Sequence, residues 1–208
     1  MDNNLNLINE FLDYKNDIRM CSNNTILAYR NDLNQYLEFL NKHKVNLLKT
    51  ESKHIQYYLG EIGKTHISSN SMARKLASIK SLYRYLANNK IIPINISRLI
   101  KTPRIPKRLP NFLSIKEIKS LLDYPYGDSY KDLRDRLVLE LFYSTGIRIS
   151  ELAQIKIKDI DLSNKLIKIK GKGNKERFVI FGSCIVPILN KYIKERFVKE
   201  KNEENDSY

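Results

Sequence analysis

The sequence predicts a mainly α-helical protein of two domains, the second of which contains a small antiparallel sheet. Three observations indicate this fold class. Apolar residues recur at a helical period of about 3.6 through the first half, prolines break that pattern between Pro93 and Pro110, and apolar and polar residues alternate after residue 154. With 208 residues, of which 42% are hydrophobic, the chain can bury two small cores.

Four amphipathic helices are predicted in the first half, at about residues 5–19, 25–42, 52–63 and 68–88. Polar residues 22–24 (SNN) before the second helix are typical of a turn and an N-cap. The connections between the helices are short, as they are in helix bundles. We therefore expect residues 1–92 to form an all-helical domain.

The fourth helix has two contrasting faces. Its buried stripe is predicted to contain Met72, Leu76, Ile79, Tyr83 and Leu86. The opposite side contains Arg74, Ser78, Ser81, Arg84 and Tyr85, with Lys80 on its flank. Guanidinium and hydroxyl groups both bind phosphate oxygens, and arginine also reads guanine. An ordinary exposed helix face explains this one helix equally well.

Residues 93–110 are predicted to form an extended linker, because the prolines in this stretch cannot continue a helix. Arg104, Lys107 and Arg108 make the linker basic, and a linker of this composition can follow a phosphate backbone while it joins two domains. The domain boundary is therefore expected near residues 100–110, with the second domain at residues 111–208.

In the second half, helices are predicted at about residues 114–122, 131–144, 149–154 and 184–199. Ser114 and Glu117 form a capping box at the start of the first of these, and Gly146 is a C-cap residue after the second. Strands are predicted at residues 155–161, 166–170 and 176–181, with a hairpin turn at residues 171–175. The polar tail from Lys199 is expected to fray.

The charge of the chain is strongly positive. It carries 37 lysines and arginines against 23 acidic residues, a net charge of +14. No carboxylate occurs between Glu61 and Glu117, although acidic residues are frequent elsewhere. This basic stretch predicts a polyanionic partner, most commonly nucleic acid. The alternative interpretation is a solvated, lysine-rich surface.

Composition excludes several classes of protein. Cys21 and Cys184 cannot make a disulfide framework, and no Cys or His lies in a metal-ligand spacing. No run of about 18 apolar residues predicts a membrane span, and the first residues lack the pattern of a secretory signal. We therefore expect a cytoplasmic protein that uses no metal and contacts no membrane.

Two basic residues in the second half are candidates for phosphate binding. Arg148 follows the Gly146 turn at the predicted start of a short helix, where a helix N-terminus and a guanidinium together favour an anion. Lys172 lies at the tip of the predicted hairpin, from which an ammonium can reach a departing oxygen. Simpler interpretations exist. Arg148 can form a structural ion pair with Glu151, and Lys172 can be an ordinary surface residue of the turn.

Five segments in this order resemble the tyrosine recombinase (phage integrase) family, in particular its Xer-type members. They are residues 22–33 (SNNTILAYRNDL), 71–86 (SMARKLASIKSLYRYL), 109–122, 134–152 (RDRLVLELFYSTGIRISEL) and 171–177 (GKGNKER). The last two are the most specific. The similarity covers the whole chain and implies an N-terminal SAM-like core-binding domain, followed by the first part of an α+β catalytic domain.

The resemblance also implies a reaction and its site residues. A tyrosine attacks the scissile phosphate of duplex DNA, a 3′-phosphotyrosyl intermediate forms, and no metal or other cofactor is needed. Arg148 corresponds to the first phosphate-binding arginine, Lys172 to the hairpin lysine that protonates the leaving 5′-oxygen, and Glu151 to the residue that supports Arg148. The implied DNA-binding residues are Thr25, Tyr29, Arg30, Arg74, Lys75, Ser78, Lys80, Arg84, Arg104, Lys107, Arg108, Lys175 and Arg177.

Members of the family wrap DNA as a two-domain clamp and assemble with other recombinase subunits as tetramers. Their remaining catalytic groups, a His-x-x-Arg segment, a later His or Trp and the nucleophilic Tyr, are expected downstream. None of the three histidines here has an Arg three residues later, and Tyr208 lies in a polar tail too early for the nucleophile. The chain thus resembles the first two-thirds of a recombinase, and we expect it not to cleave DNA by itself.

Several explanations stay open at this point. The gene is truncated or frameshifted, the chain is one part of a split product, or it is a short relative that binds DNA without cutting it. Chromosome partition at cell division and movement of a mobile element both agree with the resemblance. A basic helical protein that binds RNA is the alternative from another class. If the last helices are missing, faces of the second domain should be partly uncovered.

Overall fold

The computed structural model describes residues 2–103, 111–127, 129–171, 173 and 175–205. The chain divides into two compact units, Met1–Leu109 and Pro110–Tyr208. Among the described residues, the first unit contains helices only, and the second combines helices with one antiparallel sheet. The predicted fold class, mainly α with a small antiparallel sheet, is therefore confirmed. No helix in these residues is both long and apolar enough to cross a membrane.

The α-helices described in the first unit are α1 (Asp2–Asp13), α2 (Asn23–Lys42), α3 (Ser52–Gly63) and α4 (Ser69–Asn88). All of them follow from the amphipathic pattern of the sequence. The first differs from its prediction, because α-helical bonding ends at Asp13 and a π-helical turn continues from Tyr14 to Ile18. There the Arg19 amide donates to the Tyr14 carbonyl, five residues earlier, at 3.2 Å.

The core of the first unit is formed by buried side chains from all of α1, α2, α3 and α4. The predicted stripe on α4 is buried at Leu76, Ile79, Tyr83 and Leu86 and half-buried at Met72. From α2, the ring of Tyr36 packs edge-on against the ring of Tyr58, with centroids 5.1 Å apart. Tyr58 lies on α3, and Tyr36 also packs edge-on against Tyr83 of α4, with centroids 6.4 Å apart, so burial of these rings holds α2 beside both helices.

The described helices of the second unit are α5 (Ile115–Leu122), α6 (Tyr130–Thr145), α7 (Ile149–Leu152) and α8 (Ile185–Asn205). Its strands are β1 (Ile160–Asp161), β2 (Leu166–Lys170) and β3 (Glu176–Ile180), paired antiparallel in the order β1-β2-β3. Ile167 and Ile169 of β2 form a core with Leu137 and Leu141 of α6 and with Leu189 of α8. The helices therefore cover one face of a narrow sheet.

Two sequence signals at helix ends are confirmed. The Glu117 amide donates to the Ser114 hydroxyl at 3.3 Å, and the Ser114 amide donates to the Glu117 carboxylate at 2.7 Å. Gly146 ends α6 with a φ of +62°, a conformation that a residue with a Cβ adopts only with strain. The turn at Gly146 sets the direction in which the chain enters α7.

Two predicted boundaries are wrong. Alternation in residues 155–161 predicts a strand, but only Ile160 and Asp161 pair with β2. The preceding Ile157–Asp159 form a 3-10 turn, in which the Asp159 carboxylate accepts from the Lys156 amide at 3.1 Å. An aspartate that caps its own turn competes with strand pairing. The backbone of α8 also stays helical to Asn205, past the predicted end at Lys199.

The second unit leaves large apolar side chains at its surface. Phe178 and Ile180 lie two residues apart on the edge strand β3 and are exposed. Tyr143 of α6 and Ile149 of α7 are exposed as well. These side chains agree with the expectation that faces of the second domain are partly uncovered.

Candidate nucleic-acid interface

Arg148 lies at the turn that joins α6 to α7. The buried side chain of Ile147 anchors this turn in the core of the second unit. Arg148 itself is the N-cap of α7, and 76% of its side chain is exposed. Because α7 has only four residues, its dipole adds little to the field at this position. The guanidinium is therefore the group that can bind an anion here.

Glu151 is a buried carboxylate beside Arg148, with 5% of its side chain exposed. It accepts from the Arg148 amide at 2.8 Å and from the Arg148 guanidinium at 3.3 Å. It also forms a bidentate pair with Arg177, whose Nη1 and Nη2 each lie 2.9 Å from one carboxylate oxygen. Two parallel charge-assisted bonds make the stronger contact. Glu151 therefore joins both arginines, and the guanidinium closer to it is that of Arg177 rather than that of the expected Arg148.

These contacts keep Glu151 ionised. Hydrogen bonds from the Arg177 side chain, and then from the Arg148 amide, lower the pKa of Glu151 from 4.5 to about 2. The same pair raises the pKa of Arg177. The site at neutral pH therefore contains two guanidiniums around one carboxylate, with a positive excess. Arg177 remains 42% exposed, so both arginines can contact a ligand from solvent.

Gly171 allows the hairpin after β2 to pass close to this array. A Cβ at residue 171 would lie 3.1 Å from Arg177 Nη1 and 3.7 Å from Glu151 Oε1. The Gly171 amide closes the hairpin by donating to the Lys175 carbonyl at 2.7 Å. Lys175 is exposed, whereas Lys172 lies outside the described residues. The role of Lys172 therefore stays a prediction.

The first unit contains a second array of basic side chains, on α4. Arg74 is half exposed, at 50% of its side chain, and donates from Nη1 to Asp32 Oδ2 at 2.6 Å. It borders an open groove of about 350 Å³ between α2 and α4. Thr25 and Tyr29 of α2 line the same groove. The structure thus brings together three residues that the sequence assigns to DNA.

Two other residues of α4 lie inside the bundle. Lys75 and Ser78 are among the implied DNA-binding residues, but both are buried. The Lys75 ammonium bonds to Asp32 at 3.3 Å and also to Gln35, and the Ser78 hydroxyl donates to Asp32 at 2.9 Å. The reason is that Asp32, from the neighbouring helix, draws polar groups of α4 into the helix–helix contact. The Lys75 ammonium is therefore enclosed, whereas Ser78 lines the same groove as Arg74 while its hydroxyl is bonded to Asp32.

The remaining predicted residues occupy different positions. Arg84 is exposed on α4. Lys80 is half-buried and donates to the Ile100 carbonyl at 2.5 Å. Arg30 is exposed and donates to Asn9 of α1 at 3.3 Å, so it does not line the groove. The predicted linker residues Arg104, Lys107 and Arg108 lie outside the described residues.

Sequence reasoning missed Asp32, although a signal was present. Asp32 is four residues before Tyr36 and seven before Phe39, and both of these are buried. A carboxylate at this spacing belongs to the buried side of α2, where it requires a basic partner.

Among the described residues, no cluster of His, Cys, Asp and Glu could hold a metal ion.

Comparison with protein-family models gives two matches. Residues 8–90 match the model described as phage integrase, N-terminal SAM-like domain, and residues 111–207 match the phage integrase family. Arg74 and Asp32 fall in the first matched segment. Arg148, Glu151 and Arg177 fall in the second.

Comparison with individual protein sequences indicates the same family. The tyrosine recombinase XerC of Myxococcus xanthus is 37% identical over 191 residues, which are 91% of this chain and 63% of the relative. XerD of Staphylococcus saprophyticus is 36% identical over 189 residues, 90% of this chain and 64% of the relative. The chain therefore spans somewhat less than two-thirds of the length of these relatives.

A solved structure shows the same fold. The Tn1549 transposon integrase in complex with circular intermediate DNA superposes with a TM-score of 0.70 at 17% identity, covering 91% of this chain and 64% of that chain. The two family models together match most of the chain, and the curated relatives match across both units. The chain belongs to the phage integrase family of tyrosine recombinases.

Proposed function

We propose that this chain binds duplex DNA as part of a site-specific recombinase. The observation that carries the proposal is the array of Arg148 and Arg177 around the buried Glu151, within the segment that matches the phage integrase family. Exposed guanidiniums held by a carboxylate present fixed donors to phosphate oxygens. The net charge of +14 favours the same partner.

The proposed reaction is DNA strand cleavage and rejoining through a 3′-phosphotyrosyl intermediate. Arg148 binds the non-bridging oxygens of the scissile phosphate and stabilises the charge that develops on the phosphorane. Lys172 protonates the departing 5′-oxygen as general acid. Glu151 and Arg177 hold Arg148 in place. The contribution of this chain is therefore phosphate binding and proton donation.

Attack on phosphorus requires a nucleophile that neither Arg148 nor Lys172 supplies. No histidine in the 208 residues has an Arg three positions later, so the family's second arginine has no counterpart in this sequence. We propose that the chain by itself binds DNA without cleaving it. As the alternative to a role in strand exchange, a chain in this state would occupy recombination sites as a non-catalytic DNA-binding protein.

Two binding measurements test this proposal. Salt-titrated fluorescence anisotropy, with a duplex DNA and an RNA of equal length, should show preference for the duplex. Arg148→Ala should weaken duplex binding, whereas Arg134→Ala, which removes an exposed arginine paired with its neighbour Asp135, serves as the matched control. Preference for RNA, with equal effects of the two substitutions, would contradict the proposal.

A suicide DNA substrate, nicked so that cleavage traps the covalent product, tests the absence of cleavage. The chain alone should give no covalent protein–DNA adduct on a denaturing gel. A recombinase that contains the nucleophilic tyrosine is the positive control. An adduct formed by this chain alone would show that it supplies its own nucleophile.

We further propose a cytoplasmic protein that acts in chromosome partition at cell division, with other recombinase subunits in a tetramer on DNA. Its similarity to XerC and XerD supports this role over movement of a mobile element, because its likeness to the transposon integrase is one of fold. Immunoprecipitation of crosslinked DNA from its own cells should recover one chromosomal locus. Recovery of mobile-element ends would favour the alternative.

A further inference from the structure

We infer that Asp32 is a positioning residue, which holds the Arg74 guanidinium at the rim of the α2–α4 groove in the orientation that binds a DNA phosphate. This inference rests on the proposed function, because it assumes that the chain binds duplex DNA. It concerns a residue to which neither the sequence pattern nor the family resemblance gave a role.

Asp32 has a fixed position between two helices. Its side chain is 1% exposed, and both carboxylate oxygens are used. Oδ2 accepts from Arg74 and Ser78, and Oδ1 accepts from Lys75. All three donors lie on α4, at successive positions of one helix face, while Asp32 lies on α2. The carboxylate therefore cannot rotate without breaking several bonds at once.

One nitrogen of the Arg74 guanidinium is bonded to Asp32, while the rest of the group remains accessible. A guanidinium has five N–H donors, and the contact of Arg74 with Asp32 uses one nitrogen, Nη1. Half of the side chain remains exposed, beside the hydroxyl-bearing Thr25 and Tyr29 in the groove. The remaining donors are therefore available to a ligand, and the ion pair removes much of the rotamer freedom that binding would otherwise have to restrict.

The sign of the mutational effect distinguishes positioning from simple electrostatics. Removal of an acidic group raises the positive charge of the protein, so electrostatics alone predicts tighter binding of Asp32→Asn to DNA. Positioning predicts the opposite. If Arg74 must be ordered anew on each binding event, affinity for duplex DNA falls roughly 3- to 10-fold.

The experiment measures the Kd of the full chain for a random-sequence duplex of about 20 base pairs at one fixed salt concentration. The variants are Asp32→Asn, Arg74→Ala and the double variant of both. Glu38→Gln is the matched control, because it removes an exposed carboxylate from the same helix. We expect Asp32→Asn to bind more weakly, Glu38→Gln to bind as the wild type or slightly more tightly, and Asp32→Asn to cause no further loss when Arg74 is already alanine.

Asp32→Asn leaves the buried Lys75 ammonium without its charged partner, and this can unfold the bundle. A second variant, Asp32→Asn with Lys75→Met, removes both buried charges and keeps the net charge of the wild type. Replacement of a buried ion pair by neutral residues is often tolerated. We expect this variant to bind DNA roughly 3- to 10-fold more weakly than the wild type, with the same far-UV circular dichroism.

The possible outcomes separate the two hypotheses. If the wild type binds DNA but the charge-neutral double variant binds equally well, the positioning role of Asp32 is wrong and the proposed function stands. Tighter binding by Asp32→Asn, or an undiminished loss in the Arg74→Ala background, also overturns it. If the wild-type chain binds no duplex DNA, the proposed function itself is refuted, and this inference with it.

Discussion

Within the described residues, each unit buries a carboxylate beside two basic side chains, but the two clusters leave different groups at the surface. In the first unit, Asp32 pairs with Arg74, which is half exposed, and with Lys75, which is buried. In the second unit, Glu151 pairs with Arg148 and Arg177, and both guanidiniums reach solvent. The first cluster therefore holds helices together as well as presenting one arginine, whereas the second presents two.

The difference has a physical consequence for what each carboxylate does. Without Asp32, the Lys75 ammonium would be left inside the bundle with only a neutral amide oxygen as partner. Without Glu151, two guanidiniums would be left that water can still solvate. We therefore expect Asp32 to matter more for folding, and Glu151 to matter more for the arrangement of the DNA-binding surface.

The largest expected effect is on stability in the first unit. Asp32→Ala leaves a buried ammonium unpaired and should lower the free energy of unfolding by about 3–5 kcal/mol. Glu38→Ala, an exposed carboxylate on the same helix, should change it by less than about 0.5 kcal/mol. Urea unfolding followed by circular dichroism measures both. Equal, small effects would mean that the buried cluster does not stabilise the bundle.

The next effect concerns DNA binding by α4. Arg74→Ala and Arg84→Ala should each reduce the slope of log K against log salt by about one, because each is an exposed guanidinium that can neutralise a phosphate. Lys75→Met should leave the slope unchanged, since its ammonium is buried against Asp32. A reduced slope for Lys75→Met would show that its ammonium contacts DNA.

A smaller effect is expected in the second unit, where the stability that Glu151 contributes should depend on pH. The pKa of Glu151 is about 2 in the folded chain and 4.5 ordinarily. The stability that its ionised carboxylate gives the folded chain is therefore complete above pH 4.5 and is lost as the pH falls from 4.5 towards 2. Glu151→Gln lacks this loss. The difference between wild type and variant in hydrogen-exchange protection of β2 and β3 should therefore shrink on acidification through this range. A constant difference would show that the ion pair does not support the second unit.

The smallest expected effect is at the hairpin. Gly171→Ala places a Cβ 3.1 Å from Arg177 Nη1, and the end of an arginine side chain can move by a few tenths of an ångström. We expect a change in stability within about 0.5 kcal/mol and a slight loss of duplex affinity. Thermal unfolding and anisotropy would detect it. A large loss would mean that Arg177 is held more rigidly than its exposure indicates.

Much of the fold follows from sequence patterns that are local. Helix α3 is predicted and found at Ser52–Gly63, because its apolar spacing and end residues lie within one segment. The first strand fails for a local reason too, since Asp159 stabilises a turn inside an alternating stretch. The period of apolar residues does not indicate where a side-chain cap will favour a turn over strand pairing.

The candidate site is harder to predict because its contacts join distant parts of the chain. Lys75 and Asp32 are 43 residues apart, and Arg177 and Glu151 are 26 apart. A helical wheel places Ser78 opposite the buried stripe of α4, yet Ser78 is buried, because the wheel ignores the neighbouring helix that carries Asp32. The pair of Arg148 and Glu151, three residues apart, is foreseen, whereas the bidentate pair of Glu151 with Arg177 is not.

The most direct test of the account compares the salt dependence of duplex DNA binding for the wild type, Arg148→Ala and Arg134→Ala in the full chain. We expect Arg148→Ala to weaken binding and to reduce the slope of log K against log salt by about one. We expect Arg134→Ala, which removes an exposed arginine of α6 that has no contact with Glu151 among the bonds described, to leave both nearly unchanged. Equal slopes and affinities for all three proteins would contradict the claim that the Glu151 array binds phosphate.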